Sequence, residues 1–160
     1  MKSKLLQLLK NKWAHIILLL FVLAYVFHTG FKTYYNYGIS MEPTLRNHQL
    51  LIVNKIWYEI VPISRYDVVI VDAEDEYLCK RIVALPNETI EIINGKIFVN
   101  DKPLRGDPIR FADSLEAKIT NFPRTELNAD ECFFIGDNRY ESVFGITSID
   151  SIRGKVMMLK

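Results

Sequence analysis

Apolar residues run without a break from Ile16 to Phe27, twelve positions in a row. No polar residue recurs at helical spacing, so the run lacks the polar face of a core-packing helix. Twelve residues are short for a bilayer, which needs about 20. Extended from Trp13 to Phe31 the stretch reaches 19 residues, with His15, His28 and Thr29 near its ends. There, polar side chains reach the headgroups, and Trp13, Phe27 and Phe31 fall where interfacial aromatics belong. Val26-Phe27-His28-Thr29-Gly30-Phe31 is a poor match to an Ala-x-Ala-like cleavage site. The pattern predicts an uncleaved transmembrane helix over 13–31. Lys2, Lys4, Lys10 and Lys12 precede it and only Lys32 closely follows. Residues 1–12 are therefore expected in the cytoplasm and 32–160 outside.

Beyond the run, apolar segments shrink to strand length. Gln49 to Val53 and Asp67 to Val71 read as strands. Ile56 to Val61 reads first as a core strand, and second as an apolar rim resting on lipid headgroups. Asp72 to Glu76 is acid-rich and reads as a solvated turn. Tyr77 to Leu85 reads as a strand whose alternation sets Leu78, Lys80 and Ile82 on one face and Cys79, Arg81 and Val83 on the other. Glu88 to Ile93 and Lys96 to Asn100 flank Asn94-Gly95, the signature of a two-residue hairpin. Gly106 to Asp130 reads as loop, with room for one helical turn at Ser114 to Lys118. Glu131 to Ile135 is a strand that ends in a turn, and Ile152 to Leu159 closes the chain as another. With no βαβ rhythm, the fold class expected is a mainly β domain behind one N-terminal transmembrane helix.

Composition narrows the functions rather than the fold. The net charge of +1, with 24% charged residues, gives no electrostatic case for nucleic acid. The apolar fraction of 49% excludes a disordered chain. Cys79 and Cys132 fit no metal-ligand spacing, and stand open between free thiols and one disulfide.

Candidate chemistry lies in three stretches. In Gly38-Ile39-Ser40-Met41-Glu42-Pro43-Thr44-Leu45, Gly38 lets the backbone pass close to another chain and Pro43 stiffens the turn after the serine. A serine hydroxyl there is a nucleophile only if a base takes its proton. Lys80-Arg81-Ile82-Val83-Ala84-Leu85-Pro86 supplies a lysine between Leu78 and Ile82, where burial would lower its pKa. The third stretch is Gly136-Asp137-Asn138-Arg139. Taken singly, these read as a turn serine, an edge-strand lysine and a turn.

Together and in this order, behind a single anchor, they resemble type I signal peptidases, membrane-bound Ser/Lys proteases that remove signal peptides from exported proteins. The short length and single span look like the small Gram-positive forms. The resemblance implies Ser40 as nucleophile and Lys80 as general base, with no cofactor and no histidine. It also implies Ser142 as the serine that orients the lysine, and an oxyanion hole built from the Ser40 N–H and a backbone group at Gly38. Signal peptides, bound extended with small side chains in shallow pockets, are the implied partners, next to membrane lipid. Gly38, Met41, Pro43, Arg81, Gly136, Asp137 and Asn138 are expected to support the site.

Departures accompany the likeness. The family's Asp-Ser-Arg after the serine is replaced by Val143-Phe144-Gly145, which predicts that Arg81 loses a partner. His48-Gln49, Tyr66-Asp67 and Asn87-Glu88 stand where the family has Gly-Asp. A second reading follows: a non-catalytic or dedicated relative acting as an assembly factor for exported or surface proteins. A self-cleaving repressor-like Ser/Lys protein would lack the anchor and carry a DNA-binding segment.

Overall fold

The computed structural model describes residues 12–73, 76–106 and 121–157. Helix α1 spans Lys12–Gly30, 19 residues, about 28 Å at the rise of an α-helix. Of its side chains only Gly30 is buried, so the helix packs against none of the protein core. It stops one residue short of the expected span because Phe31 opens strand β1 (Phe31–Asn36). Phe27 stacks on Phe31 across that junction at 5.1 Å, and Lys55 N–H donates to the Gly30 carbonyl at 2.8 Å.

The rest is mainly β. One sheet has seven strands in the order β1, β2 (Gln49–Asn54), β11 (Ile152–Val156), β3 (Val68–Ala73), β4 (Glu76–Ala84), β9 (Glu131–Ile135) and β10 (Phe144–Ser148). Every pairing in it is antiparallel. The second sheet has four strands, β7 (Lys102–Pro103), β6 (Lys96–Val99), β5 (Thr89–Ile93) and β8 (Phe122–Glu126). The β5–β6 hairpin turns on Asn94 and Gly95 with φ of 48° and 78°, the two left-handed residues a type I′ turn requires.

Burial follows the alternation along β4. Leu78 and Ile82 join the cluster of Val69, Val71, Cys132 and Phe134, whereas Cys79 joins Met41, Leu51, Val53, Val68 and Ile70. A third cluster, built on Phe133, Ile135, Ile90 and Leu127, joins the two sheets.

Two expectations need correction, and the open state of the cysteines is answered. Ile56 to Val61 is not a strand: Trp57–Ile60 forms a short helix, α2, with no buried residue and Ile60 76% exposed. Asn54 Oδ1 starts it by accepting from the N–H groups of Ile56 and Trp57 at 3.0 Å each. β8 appears where loop was expected, because Pro123 interrupts a pattern that pairing with β5 nonetheless holds extended, and β10 adds a strand in a stretch for which no element was expected. Cys79 and Cys132 are both buried free thiols, not a disulfide, and burial pushes each up to about 12. The possible helical turn at 114–118 lies outside the described residues.

Candidate active site

The loop that carries Ser40 connects β1 to β2 and is anchored by its own apolar residues. Met41 and Leu45 are 0% and 1% exposed in the cluster that also holds Cys79. Ser40 sits beside Met41, so burying that side chain fixes where the hydroxyl points. Two turn bonds shape the loop, Glu42 N–H to Ile39 O at 3.1 Å and Leu45 N–H to Met41 O at 2.9 Å. Gly38 takes φ +85°, and Pro43, itself exposed, follows a cis peptide bond.

Lys80, near the middle of β4, is 3% exposed. Its Nζ donates to Ser40 Oγ at 2.8 Å, joining residues 40 positions apart. Burial lowers the ammonium pKa below that of an ordinary lysine, against a smaller opposing pull from Cys79, Glu76 and Asp137. In its neutral form the amine has a lone pair at the same separation, ready to accept the serine proton.

The Gly136-Asp137-Asn138 turn braces this pair. Asn138 N–H donates to Ser40 O at 2.9 Å and its Nδ2 donates to Ile39 O at 3.2 Å. Gly136 has no room for a side chain: a Cβ there would stand 2.5 Å from the Ser40 carbonyl oxygen and overlap Ser142 Oγ. Asp137, 1% exposed, takes Arg81 in a bidentate pair, Nε to Oδ1 at 2.7 Å and Nη2 to Oδ2 at 2.5 Å. Arg81 also donates to Tyr66 O at 2.8 Å and to Thr44 Oγ1 at 3.4 Å. The absence of an Asp-Ser-Arg after Ser142 therefore does not leave Arg81 without a carboxylate partner. The carboxylate comes from Asp137, at the end of β9 beside β4.

Ser142 departs from its expected role as well. It is buried, but its hydroxyl donates to Val143 O at 2.8 Å and makes no bond to Lys80. Its side chain lies close against Gly136. The expected second oxyanion donor is engaged too, since Gly38 N–H donates to Asn47 Oδ1 at 2.9 Å. Ser40 N–H, by contrast, donates to no acceptor among the described residues.

A cleft of about 310 Å³ opens beside the pair, lined by Tyr34, Tyr37, Ile70, Tyr77, Leu78 and Cys79 among others. Its two long walls are sheet edges. β1 pairs only with β2, and β9 meets β4 only at Arg81, Ile82 and Ala84. Glu76 to Lys80 therefore keep a free edge on the β9 side among the described residues. The sheet curls enough for Tyr34 and Tyr77 to meet edge-on at 5.4 Å.

Asn36, Asn47 and Thr44 were not anticipated as part of this site. Side-chain amides and hydroxyls in a loop carry no sequence signal for which backbone group they will meet. At the three Gly-Asp departures the backbone still takes the left-handed conformation, with φ of 60° at His48, 71° at Tyr66 and 61° at Asn87. The glycines are gone, but the turns they would form are kept.

A family model described as "Signal peptidase, peptidase S26" matches residues 10–159. The chain belongs to the signal peptidase family, peptidase S26. It is a serine endopeptidase by that membership. Among curated relatives it is similar to signal peptidase I of Bacillus caldolyticus, 36% identical over 141 residues, covering 79% of this chain and 77% of that protein. It is also similar to signal peptidase I S of Bacillus subtilis strain 168, 31% identical over 140 residues, covering 82% and 76%. A crystal structure of a signal peptidase I from Enterococcus faecalis V583 aligns with a TM-score of 0.49 at 22% identity, covering 61% of this chain and 99% of that one. Within this peptidase, the described residues contain no group of acidic, histidine or cysteine side chains able to hold a metal ion.

Proposed function

We propose that this peptidase removes N-terminal signal peptides from exported preproteins at the outer face of the membrane, with Ser40 as nucleophile and Lys80 as general base. One observation carries the reading: a lysine 3% exposed, with its amine 2.8 Å from a serine hydroxyl on a loop pinned from both sides. The substrate lies extended in the cleft, adding a strand between the edge of β1 and the free half of β4. Ser40 Oγ forms a bond to the scissile carbonyl carbon while its proton passes to Lys80 Nζ. The oxyanion faces the Ser40 N–H. Collapse breaks the C–N bond, and the Lys80 proton leaves with the new amine. Water then attacks the acyl ester, giving a proton to Lys80, and the released serine recovers one.

Helix α1 has the length and hydropathy to cross a bilayer. Four lysines before the span put its N-terminus inside. β1 runs directly from the helix, so Ser40 lies at most about 30 Å from the membrane surface. The assembly-factor reading rests on the missing Asp-Ser-Arg after Ser142; against it stands the buried Arg81–Asp137 pair, which braces the site without those residues.

The test uses the detergent-solubilised full chain and a preprotein whose signal ends in Ala-x-Ala. The parent is expected to cleave after the second alanine, and Ser40→Ala and Lys80→Ala to fall to background. Equal cleavage by all three, or binding without cleavage by the parent, would overturn the assignment.

A further inference from the structure

We propose that Asn47 is a positioning residue for the nucleophile, a role that rests on the Ser40–Lys80 reading above. The loop from residue 36 to residue 49 is tied across its base by amide side chains. Asn36, 3% exposed, donates from Nδ2 to Arg46 O at 3.0 Å, and its carbonyl accepts from His48 N–H at 2.7 Å. Gln49 Oε1 accepts from Arg46 N–H at 2.9 Å. These bonds fix the legs of the loop but stop short of its tip.

Asn47 reaches further. Its Oδ1 accepts from Gly38 N–H at 2.9 Å, two residues before Ser40. Gly38 has φ +85°, and a Cβ placed on it would meet nothing within 4 Å, so neighbouring packing does not fix the orientation of its peptide. The Asn47 amide supplies that constraint from one side. Asn138 supplies the opposite one through Ser40 O and Ile39 O. The segment from Gly38 to Ser40 is thus tied at its start by Asn47 and at its end by Asn138.

The tie has a chemical consequence. Because Gly38 N–H is engaged by Asn47, Ser40 N–H is the backbone donor left for the developing oxyanion. Asn47 sets the angle of that donor through two intervening peptides. Misplacing reacting groups by about 1 Å costs roughly a hundredfold in rate, so a modest swing of Gly38 should appear in kcat.

Asn47 is exposed, so its replacement should leave the fold standing. Asn47→Leu removes the acceptor, and Asn47→Asp keeps one. With the full chain in detergent and a preprotein substrate, Asn47→Leu is expected to lower kcat by about tenfold or more, with KM and Tm unchanged. Asn47→Asp is expected to restore most of the rate. Amide hydrogen exchange, read without any activity, should show Gly38 protected in the parent and in Asn47→Asp but exchanging faster in Asn47→Leu. Unchanged exchange at Gly38 in Asn47→Leu would overturn the proposal. So would full activity of that variant, or equal losses in both variants accompanied by a lower Tm. An inactive parent with the expected exchange pattern would instead count against the Ser40–Lys80 assignment alone, leaving the tie to Gly38 established.

Discussion

At the scale of single residues, Lys80 is the proposed base, and its burial bears on both reactivity and stability. Its pKa is lowered by desolvation, so the neutral amine is available below the usual lysine range near 10.4. The cleavage rate should rise with pH along a limb whose midpoint lies below that value; a flat profile from about pH 6 to 9 would argue against lysine as base. The stability consequence has a definite sign. Between the lowered folded pKa and the unfolded value, the unfolded chain binds more protons, so the parent gains stability as pH rises through that window. Lys80→Met, which titrates nowhere, should be more stable than the parent at low pH, and the gap should close toward pH 10 in paired denaturant titrations. Gly136 is the other decisive residue. A methyl group there would meet the Ser40 carbonyl and the Ser142 hydroxyl, both tied into the site. Gly136→Ala should therefore abolish most activity and lower Tm, whereas Gly145→Ala, with only ordinary contact to Phe134, should do neither.

Among the elements, β4 and β9 matter most, since they bring Arg81 to Asp137. The side chains of this pair are 7% and 0% exposed. Removing one charge from so buried a pair strands the other, which typically costs about 3–5 kcal/mol. Asp137→Asn should reduce stability by an amount of that order in urea denaturation, and activity should fall with it as the Ser40 loop loses its brace. Replacing both partners by leucine should recover part of the stability but not the activity, since Arg81 also holds the Tyr66 carbonyl and Thr44. The hairpin of β5 and β6 was legible from Asn94-Gly95 because a type I′ turn demands left-handed residues locally. Helix α2 was not legible. Its apolar composition reads as a strand or a rim, and nothing in that pattern marks the turn in which the Ile56 and Trp57 N–H groups donate to Asn54 Oδ1.

For the molecule as a whole, the arrangement is an exposed apolar helix continuous with a curled sheet in which Tyr34 of the edge strand β1 meets Tyr77 of the half of β4 that does not pair with β9. In intact cells, a cysteine placed at Lys102 in a background where Cys79 and Cys132 are replaced by alanine should react with a membrane-impermeant maleimide added outside. Labelling only after lysis would reverse the proposed topology. The long apolar helix, the β class and the three chemical stretches could be read from the chain alone, because hydropathy length, alternation and turn chemistry are properties of neighbouring residues. The meeting of Ser40 with Lys80 depends on the register of β3 with β4 and on Met41 entering the core. Those are long-range facts. Arg81 finding Asp137, Ser142 turning toward Val143, and Asn47 capturing Gly38 depend on which groups lie within 3 Å once the sheet has curled, and only the tertiary structure decided them.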